Sequence, residues 1–426
     1  MLPTKTPLTN CFCWTLYNAR VSFVNMIHKA FKYRLYPNSK QQEQLAKTFG
    51  CARFVFNHYL RQRIDTYANT GENFTYNQMA QDLTNLKCRP ETVWLKEVNS
   101  QSLQQSLRNL DVAYNNFFQK RAKFPSFKKK SNTQSFQVPQ HFNLSETRLT
   151  IPKMAPIRIV VHRELQGKPK SITISRNPAG QYFASILCEV PDPQPIYSGG
   201  EIGIDLGLTS FLVTSTGEKI SPGKYYRNLE PKLAKLQRRL SRTQKKSRNR
   251  SKARIKVARV HQKVANQRAD FLHRLSFRLV NENQIIHMED LAVKNMVKNR
   301  KLAKSISDAS WGEFTRQLEY KGNWYGCYIN QVDRFFPSSK RCHCCGYIAD
   351  KLPLNIREWT CPECGAKLDR DNNAAINILT FGRVGATRTT PQGVNACGET
   401  VRPLLVVVDQ QWQSHLNQEA PSFMAG

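Results

Sequence analysis

No segment of this chain reaches the roughly 18 consecutive apolar residues that a membrane-spanning helix needs. The longest late run, Leu404-Leu405-Val406-Val407-Val408, is only strand-sized. The first 24 residues lack the continuous apolar core and the small-residue cleavage site of a secretory signal. Acid is scarce, with 31 Asp and Glu against 64 Lys and Arg, a formal net charge of +33. Between Pro231 and Arg268 it is missing altogether, while fifteen Lys and Arg occur there. No His-x-His pair is found anywhere. These absences argue against a membrane protein and against a secreted, disulfide-stapled one. They also argue against a strand-joining transposase that works through a Tyr and a His pair.

What is present fits a different class. A chain this basic repels itself when compact and adheres to polyanions, so a polyphosphate partner is the simplest reason for the charge. The 426 residues, 40% hydrophobic and 10% aromatic, are too rich in apolar side chains for a disordered chain and long enough for several domains. Five of the twelve cysteines fall between Cys342 and Cys364, while Cys51, Cys88, Cys188 and Cys327 stand alone. In a reducing cytoplasm such a cluster reads as metal ligation and the isolated thiols as small buried hydrophobes.

Along the chain the pattern changes several times. Residues 1–25, including Cys11 and Cys13, carry no useful periodicity and read as an unstructured leader, with Met26 the truer start. Phe31, Tyr33 and Leu35 then alternate with Lys32 and Arg34, as in a half-buried basic strand. From about residue 40 to 121 the period is helical, with Leu103, Leu107, Leu110, Ala113 and Phe117 on one stripe. Short alternating strands follow, among them Ser171–Ser175 and Gln181–Ile186 around a turn at Asn177-Pro178-Ala179-Gly180. Residues 26–196 are therefore expected to form a β-barrel interrupted by a helical domain, closed by the stiff Pro191-Asp192-Pro193-Gln194-Pro195. In the next domain, 197–380, Leu233, Leu236 and Leu240, then Val257, Val260, Val264, Phe271 and Leu275, predict a basic helical hairpin over about 229–280. A solvated charged face is the usual reading of a charge run. Here the sign is unmixed, which favours a phosphate-tracking surface. Without the 231–268 segment 49 basic residues still face 31 acidic ones, so the basic surface extends over several domains. Residues 381–426, rich in Gly, Thr and Gln, read as a disordered tail.

Two sets of residues carry chemistry. Cys342-His343-Cys344-Cys345-Gly346 and Cys361-Pro362-Glu363-Cys364-Gly365 are paired knuckles. Their spacing suits a tetrahedral four-thiolate zinc site with Cys342, Cys345, Cys361 and Cys364 as ligands and His343 and Cys344 as bystanders. Four protein ligands leave no open position, so the site is structural, a ribbon over about 335–370. The second set is acidic. Asp205 lies in Ile202-Gly203-Ile204-Asp205-Leu206-Gly207, where alternation sets Gly203 and Gly207 on its own side, as if to clear room for a bulky ligand. Glu289 ends an apolar strand with Asp290 on the opposite side. Asp371 opens a helix, where a plain N-cap is the competing reading. Converging at one sheet edge, Asp205, Glu289 and Asp371 would repel one another unless Mg2+ or Mn2+ neutralised them. Such clusters support two-metal displacement at a phosphodiester. A basic channel beside an acidic metal site describes a nuclease.

In this order, Gly203-Ile204-Asp205-Leu206-Gly207, Met288-Glu289-Asp290-Leu291, the paired knuckles and Asp369-Arg370-Asp371-Asn372-Asn373-Ala374-Ala375 resemble the TnpB (OrfB-type) transposon-encoded family. So do Lys29–Pro37, Ser305–Trp311 and Arg334–Lys340, and the resemblance covers about residues 26 to 380. It implies an α/β fold: an RNase H-like (RuvC) mixed-sheet nuclease domain carrying the zinc ribbon, with Asp205, Glu289 and Asp371 holding the catalytic metal. It implies a guide RNA from the transposon end and target double-stranded DNA as partners, and a monomer in the cytoplasm, at the nucleoid of a prokaryote. The barrel and helices would hold the RNA and read a short flanking DNA motif, with Tyr76 for stacking and Gln104 for base edges. Arg238, Arg239, Arg242, Lys245 and Lys246 on the hairpin would contact phosphates. The alternatives are a transposase-type protein and a nuclease-inactive DNA-binding accessory protein of a mobile element.

Overall fold

Residues 26–191, 200–353 and 355–389 are described in the computed structural model. The leader 1–25, most of the proline-rich segment, Leu404–Val408 and the tail from 390 onward lie outside the described residues. The alternation at the start becomes strand β1 (Met26–Tyr36), with Phe31, Tyr33 and Leu35 buried. Pro37 ends it, and Asn38 with Gln41 forms a reciprocal capping box that opens helix α1 (Ser39–Thr70). Helices α2 (Tyr76–Leu86) and α3 (Ser100–Phe118) follow, separated by a 3-10 turn over Pro90–Glu97. Leu103, Leu107 and Leu110 are buried as expected, and Tyr114 continues their stripe where Ala113 and Phe117 are only half-buried.

Six strands complete the first sheet: β2 (Gln134–Val138), β3 (Asn143–Leu144), β4 (Arg148–Ile151), β5 (Met154–Val160), β6 (Lys168–Arg176) and β7 (Tyr182–Pro191). The order is β2-β6-β7-β1-β5-β4-β3, and every pairing is antiparallel. α1 serves two cores. Leu45, Phe49 and Ala52 join the inward strand residues, while Val55, Tyr59 and Leu60 pack with Met79, Leu83 and Leu107 of α2 and α3.

The second sheet is mixed. It contains β8 (Glu201–Asp205), β9 (Leu212–Thr214), β10 (Lys219–Ile220), β11 (Ile285–Glu289) and β12 (Tyr328–Val332), in the order β10-β9-β8-β11-β12. The first three pair antiparallel, whereas β11 runs parallel to both β8 and β12. Between β10 and β11 stands the expected basic hairpin, α4 (Tyr225–Ser241) and α5 (Arg248–Glu282), broken at Ser247, which caps α5. Then come α6 (Val293–Met296), α7 (Ala303–Ala309) and α8 (Trp311–Tyr325). Ile204, Ile286 and Met288 pack with Leu272 and Leu279 of α5 and with Phe314 and Leu318 of α8 on one face of the sheet. A small hairpin, β13 (Glu358–Thr360) and β14 (Lys367–Asp369), leads into α9 (Arg370–Thr389). α9 runs on to Thr389, so the helical region passes the residue 381 boundary expected from composition.

Candidate metal centres

The acidic residues come from three elements that the sheet aligns. β8 and β11 pair from Glu201↔Ile285 to Ile204↔Met288, and the next residues on the two strands are Asp205 and Glu289. Ile202, Ile204, Ile286 and Met288 face α5 and α8, so strand alternation turns Gly203, Asp205, His287 and Glu289 toward the other face. α9 covers that face. A Cβ on Gly203 would lie 2.2 Å from the Ala375 carbonyl oxygen and 2.8 Å from the Leu379 Cβ. Gly203 is thus required for helix-to-sheet contact and does not clear space for a ligand. Asp371 sits one helical turn before Ala375, which carries it toward the strand at Asp205.

The electrostatics of the acids follow from this placement. Asp205 keeps a narrow opening to solvent yet is enclosed on most sides. Desolvation, followed by repulsion from Glu289 and Asp371, pushes its carboxyl up to about 7 against the pull of Arg370 and Arg357. Burial also raises Glu289, tempered by a hydrogen bond from the Ser338 hydroxyl. Arg357 donates to the Asp371 carboxylate at 3.1 Å and to Thr209 Oγ1 at 2.9 Å. Asp290 turns away and pairs with Arg334. The capping role belongs to Asp369, whose carboxylate accepts from the Asn372 amide at 2.9 Å and pairs with Lys219 at 2.6 Å. Asp371 is therefore not spent as a cap.

An unfolded chain ionises an Asp near 3.9, the folded one ionises Asp205 near 7, so this ionisation opposes folding increasingly between those values. In magnesium-free buffer Asp205→Asn should gain on the unmodified protein as pH rises from about 4 to about 7, by at most roughly 4 kcal/mol in thermal melts. An advantage that is the same at both ends of that range would contradict the crowding of charge.

The four expected thiols meet. Cys342, Cys345, Cys361 and Cys364 have sulfurs within 4.8 Å of one another, with 3.7 Å between Cys342 and Cys364 and 3.5 Å between Cys345 and Cys361. Among the described residues no other group of three or more possible ligands is gathered so closely. Each knuckle turns back on a glycine of positive φ, Gly346 at 84° and Gly365 at 70°, whose amides donate to the Cys342 and Cys361 carbonyls at 3.0 Å. No disulfide forms among the nine described cysteines. His343 and Cys344 stay outside the cluster, and the donor set fits a zinc ion.

Between the two centres runs a staple that sequence reasoning missed. The buried Asn373 accepts from the His343 amide at 3.0 Å and donates to the Arg341 carbonyl at 2.7 Å. Asn377, also buried, donates to the carbonyls of Ser338 and Arg341. α9 thus grips the first knuckle and the segment that brings Ser338 to Glu289. The signal was the Asn373/Asn377 spacing of four on an otherwise apolar helix face. Asn373→Ala should destabilise the protein by about 1–3 kcal/mol, read as a lowered Tm, because it orphans buried polar groups. An unchanged Tm would mean the knuckle is held by other contacts.

Arg238, Arg239, Arg242, Lys245 and Lys246 are all exposed at the end of α4 and in the turn after it. Arg250 closes that turn by donating to the Leu240 and Thr243 carbonyls. Arg268 and the Tyr226 amide fasten the hairpin to Asp308, and Asn177 reaches Gln262 of α5 at 2.9 Å. Tyr76 is half-buried and its hydroxyl accepts from Arg108 at 3.2 Å, while Gln104 is exposed one turn before Arg108 on α3. Arg108 is a further partner the sequence did not flag.

Comparison with known proteins agrees with this layout. Residues 185–300 match a family described as "Probable transposase" (OrfB, IS605 type), residues 311–378 the "Cas12f1-like, TNB domain", and residues 26–72 a "Helix-turn-helix domain" of the same OrfB type. The last match covers strand β1 and the single helix α1. A "Putative RNA-guided DNA endonuclease" of Streptomyces pristinaespiralis is 46% identical, over 89% of this chain and 93% of that protein. The "Putative RNA-guided DNA endonuclease InsQ" of Escherichia coli K12 is 35% identical, over 88% of this chain and 96% of its own. Among solved structures, a mini-RNA-guided endonuclease, CRISPR-Cas_phi3, superposes with a TM-score of 0.51 at 9% identity, over 84% of this chain and 93% of that one, a likeness of fold alone. No helix among the described residues is long and apolar enough to cross a membrane.

Proposed function

Because the chain belongs to the OrfB-type, TnpB-like family of RNA-guided nucleases, we propose that it cuts double-stranded DNA selected by a bound guide RNA. The observation that carries this reading is the carboxylate group of Asp205, Glu289 and Asp371 on the α9 side of the mixed sheet. We read the five-stranded sheet as RuvC-like, residues 335–370 as an inserted zinc ribbon, and the seven-stranded sheet with α1–α3 as the barrel and helical domain that hold RNA.

The acids fit a hard divalent cation, since their donors are all oxygen and their mutual repulsion needs an opposing charge. Mg2+ or Mn2+ held there supplies activation of the attacking water and neutralisation of charge at the leaving 3′ oxygen. The remaining chemistry belongs to the chain. Ser338 fixes the Glu289 carboxylate through its hydroxyl. Arg357, anchored on Thr209, sets the Asp371 carboxylate and keeps positive charge where a phosphate must approach. The hairpin cations draw the polyanion to this edge. The four thiols would hold zinc structurally and keep the Asn373-bound knuckle in place.

Charge reversal at Arg238, Arg239 and Lys245 should flatten the salt dependence of nucleic-acid binding by about 2–3 in the slope of log K against log salt. An unchanged slope would make the hairpin face merely solvated. The reading as a whole is tested by incubating the RNA-loaded protein with matched and mismatched DNA, with and without Mg2+. Cutting of matched DNA only, and only with the cation, supports it, whereas metal-independent or guide-independent cutting opposes it.

A further inference from the structure

The C-terminal end of α3 and the loop into β2 expose aromatic rings that no core absorbs. Phe118 is 66% exposed, Phe124 47% and Phe127 42%. The rings form one group: Phe117 lies 5.3 Å from Phe124 and 5.4 Å from Phe118, and Tyr114 contacts both Phe118 and Phe124. Arg61 stacks over Phe127 at 5.5 Å. Half of residues 121–130 are Lys or Arg and none is acidic. Among the described residues none of these five cations pairs with an acid.

The loop backbone is fixed by side chains of α1 and β2. The Asn57 side chain brackets Lys128, accepting from its amide at 2.8 Å and donating to its carbonyl at 3.0 Å. The Lys128 ammonium lies 3.9 Å over the Phe56 ring. Gln134 donates to the Lys129 and Asn132 carbonyls at 3.1 and 2.8 Å. A prearranged surface of exposed rings among unpaired cations suits a ligand with flat apolar faces strung on phosphates.

We propose that this α3–β2 loop binds an unpaired segment of the guide RNA, its phenylalanines stacking bases and its cations holding phosphates; this rests on the RNA-guided reading above. A duplex buries its base faces, so a double-stranded target offers them only where it is already open, while a guide RNA presents unpaired bases in its single-stranded stretches. The leader is a poor occupant: residues 1–25 contain two basic residues and no acid, and would be repelled.

The test compares the unmodified protein with Phe118→Ala/Phe127→Ala and with Lys129→Glu/Lys130→Glu, each first checked for unchanged Tm. The probes are a fluorescent single-stranded RNA of about 15 nucleotides, an RNA hairpin and a single-stranded DNA of the same sequence. The Phe variant should lose roughly tenfold or more in affinity for single-stranded RNA and little for the hairpin. The Lys variant should reduce the salt slope for all three. Unchanged single-strand affinity in the Phe variant overturns the inference, and if that protein still cuts guided DNA, the proposed function survives it. A clear preference for single-stranded DNA overturns the assignment to RNA. Tighter RNA binding by a protein truncated before Met26 would mean the leader occupies the loop, which also overturns it. Failure of the unmodified protein to bind any RNA sinks both readings.

Discussion

Asp205→Ala is expected to lower DNA cleavage by about 10^4-fold or more, while RNA and DNA binding stay close to those of the unmodified protein. The size follows from position. Asp205 is where the negative charge crowds, since Glu289 and Asp371 both raise its carboxyl and α9 closes over its face of the sheet. Removing it leaves two carboxylates on different elements, too few charges to hold a cation pair at the sheet edge. Binding should survive because the cations proposed to meet phosphate stand on other elements, with Arg238, Arg239 and Lys245 exposed on the hairpin. Single-turnover cleavage and gel-shift measurements on the same preparations separate the two effects. A variant that still cuts would sink the metal assignment. A variant that loses binding in proportion would make Asp205 a folding residue.

The second large effect is expected at the thiols. Cys361→Ser should remove close to one equivalent of zinc per chain and melt the ribbon, because a unit this small draws its stability from the ion. The small core here supports this: among the described residues, buried Cys342, Cys361 and Leu368 are joined only by half-buried Tyr347, Trp359 and Ala366. The damage should travel. The knuckle hands its backbone to Asn373 and Asn377, and the same segment carries Ser338 to Glu289. Cleavage is therefore expected to fall with zinc content, by about tenfold to a hundredfold, as when a supporting shell is lost. Unchanged metal content in the variant would contradict the ligand set. Full cleavage without zinc would contradict the coupling through α9.

Most of the architecture was legible because it rests on local periodicity. Alternation marked β1 and its burial, spacing of three and four marked α3, and the unmixed Lys/Arg stretch with its leucine and valine stripes marked the α4–α5 hairpin. The thiols were legible because knuckle spacing alone dictates the chelate. The acids were legible as strand ends and a helix start, since order along the chain survives folding. Their partners were not. Ser338, Arg357 and Asn373 act across separations of 49, 14 and 30 residues, set by how the ribbon docks on α9, which no periodicity reports. Gly203 was misread for the same reason: its lack of a side chain serves α9, an element more than 160 residues away. The end of α9 escaped notice because the Gly, Thr and Gln content after residue 380 reads as a tail, whereas Gly382 packs in the helix, where a Cβ would fall 2.1 Å from the ring of buried His287.

The claim that this charge and these acids serve guided cleavage is tested most directly by sequencing the RNA that co-purifies with the protein and offering the complex DNA matched to it. One dominant RNA species is expected, with Mg2+-dependent cutting confined to DNA that pairs with it and lost in Asp205→Ala. Random RNA with no matched cutting, or cutting indifferent to the RNA sequence, would contradict that claim.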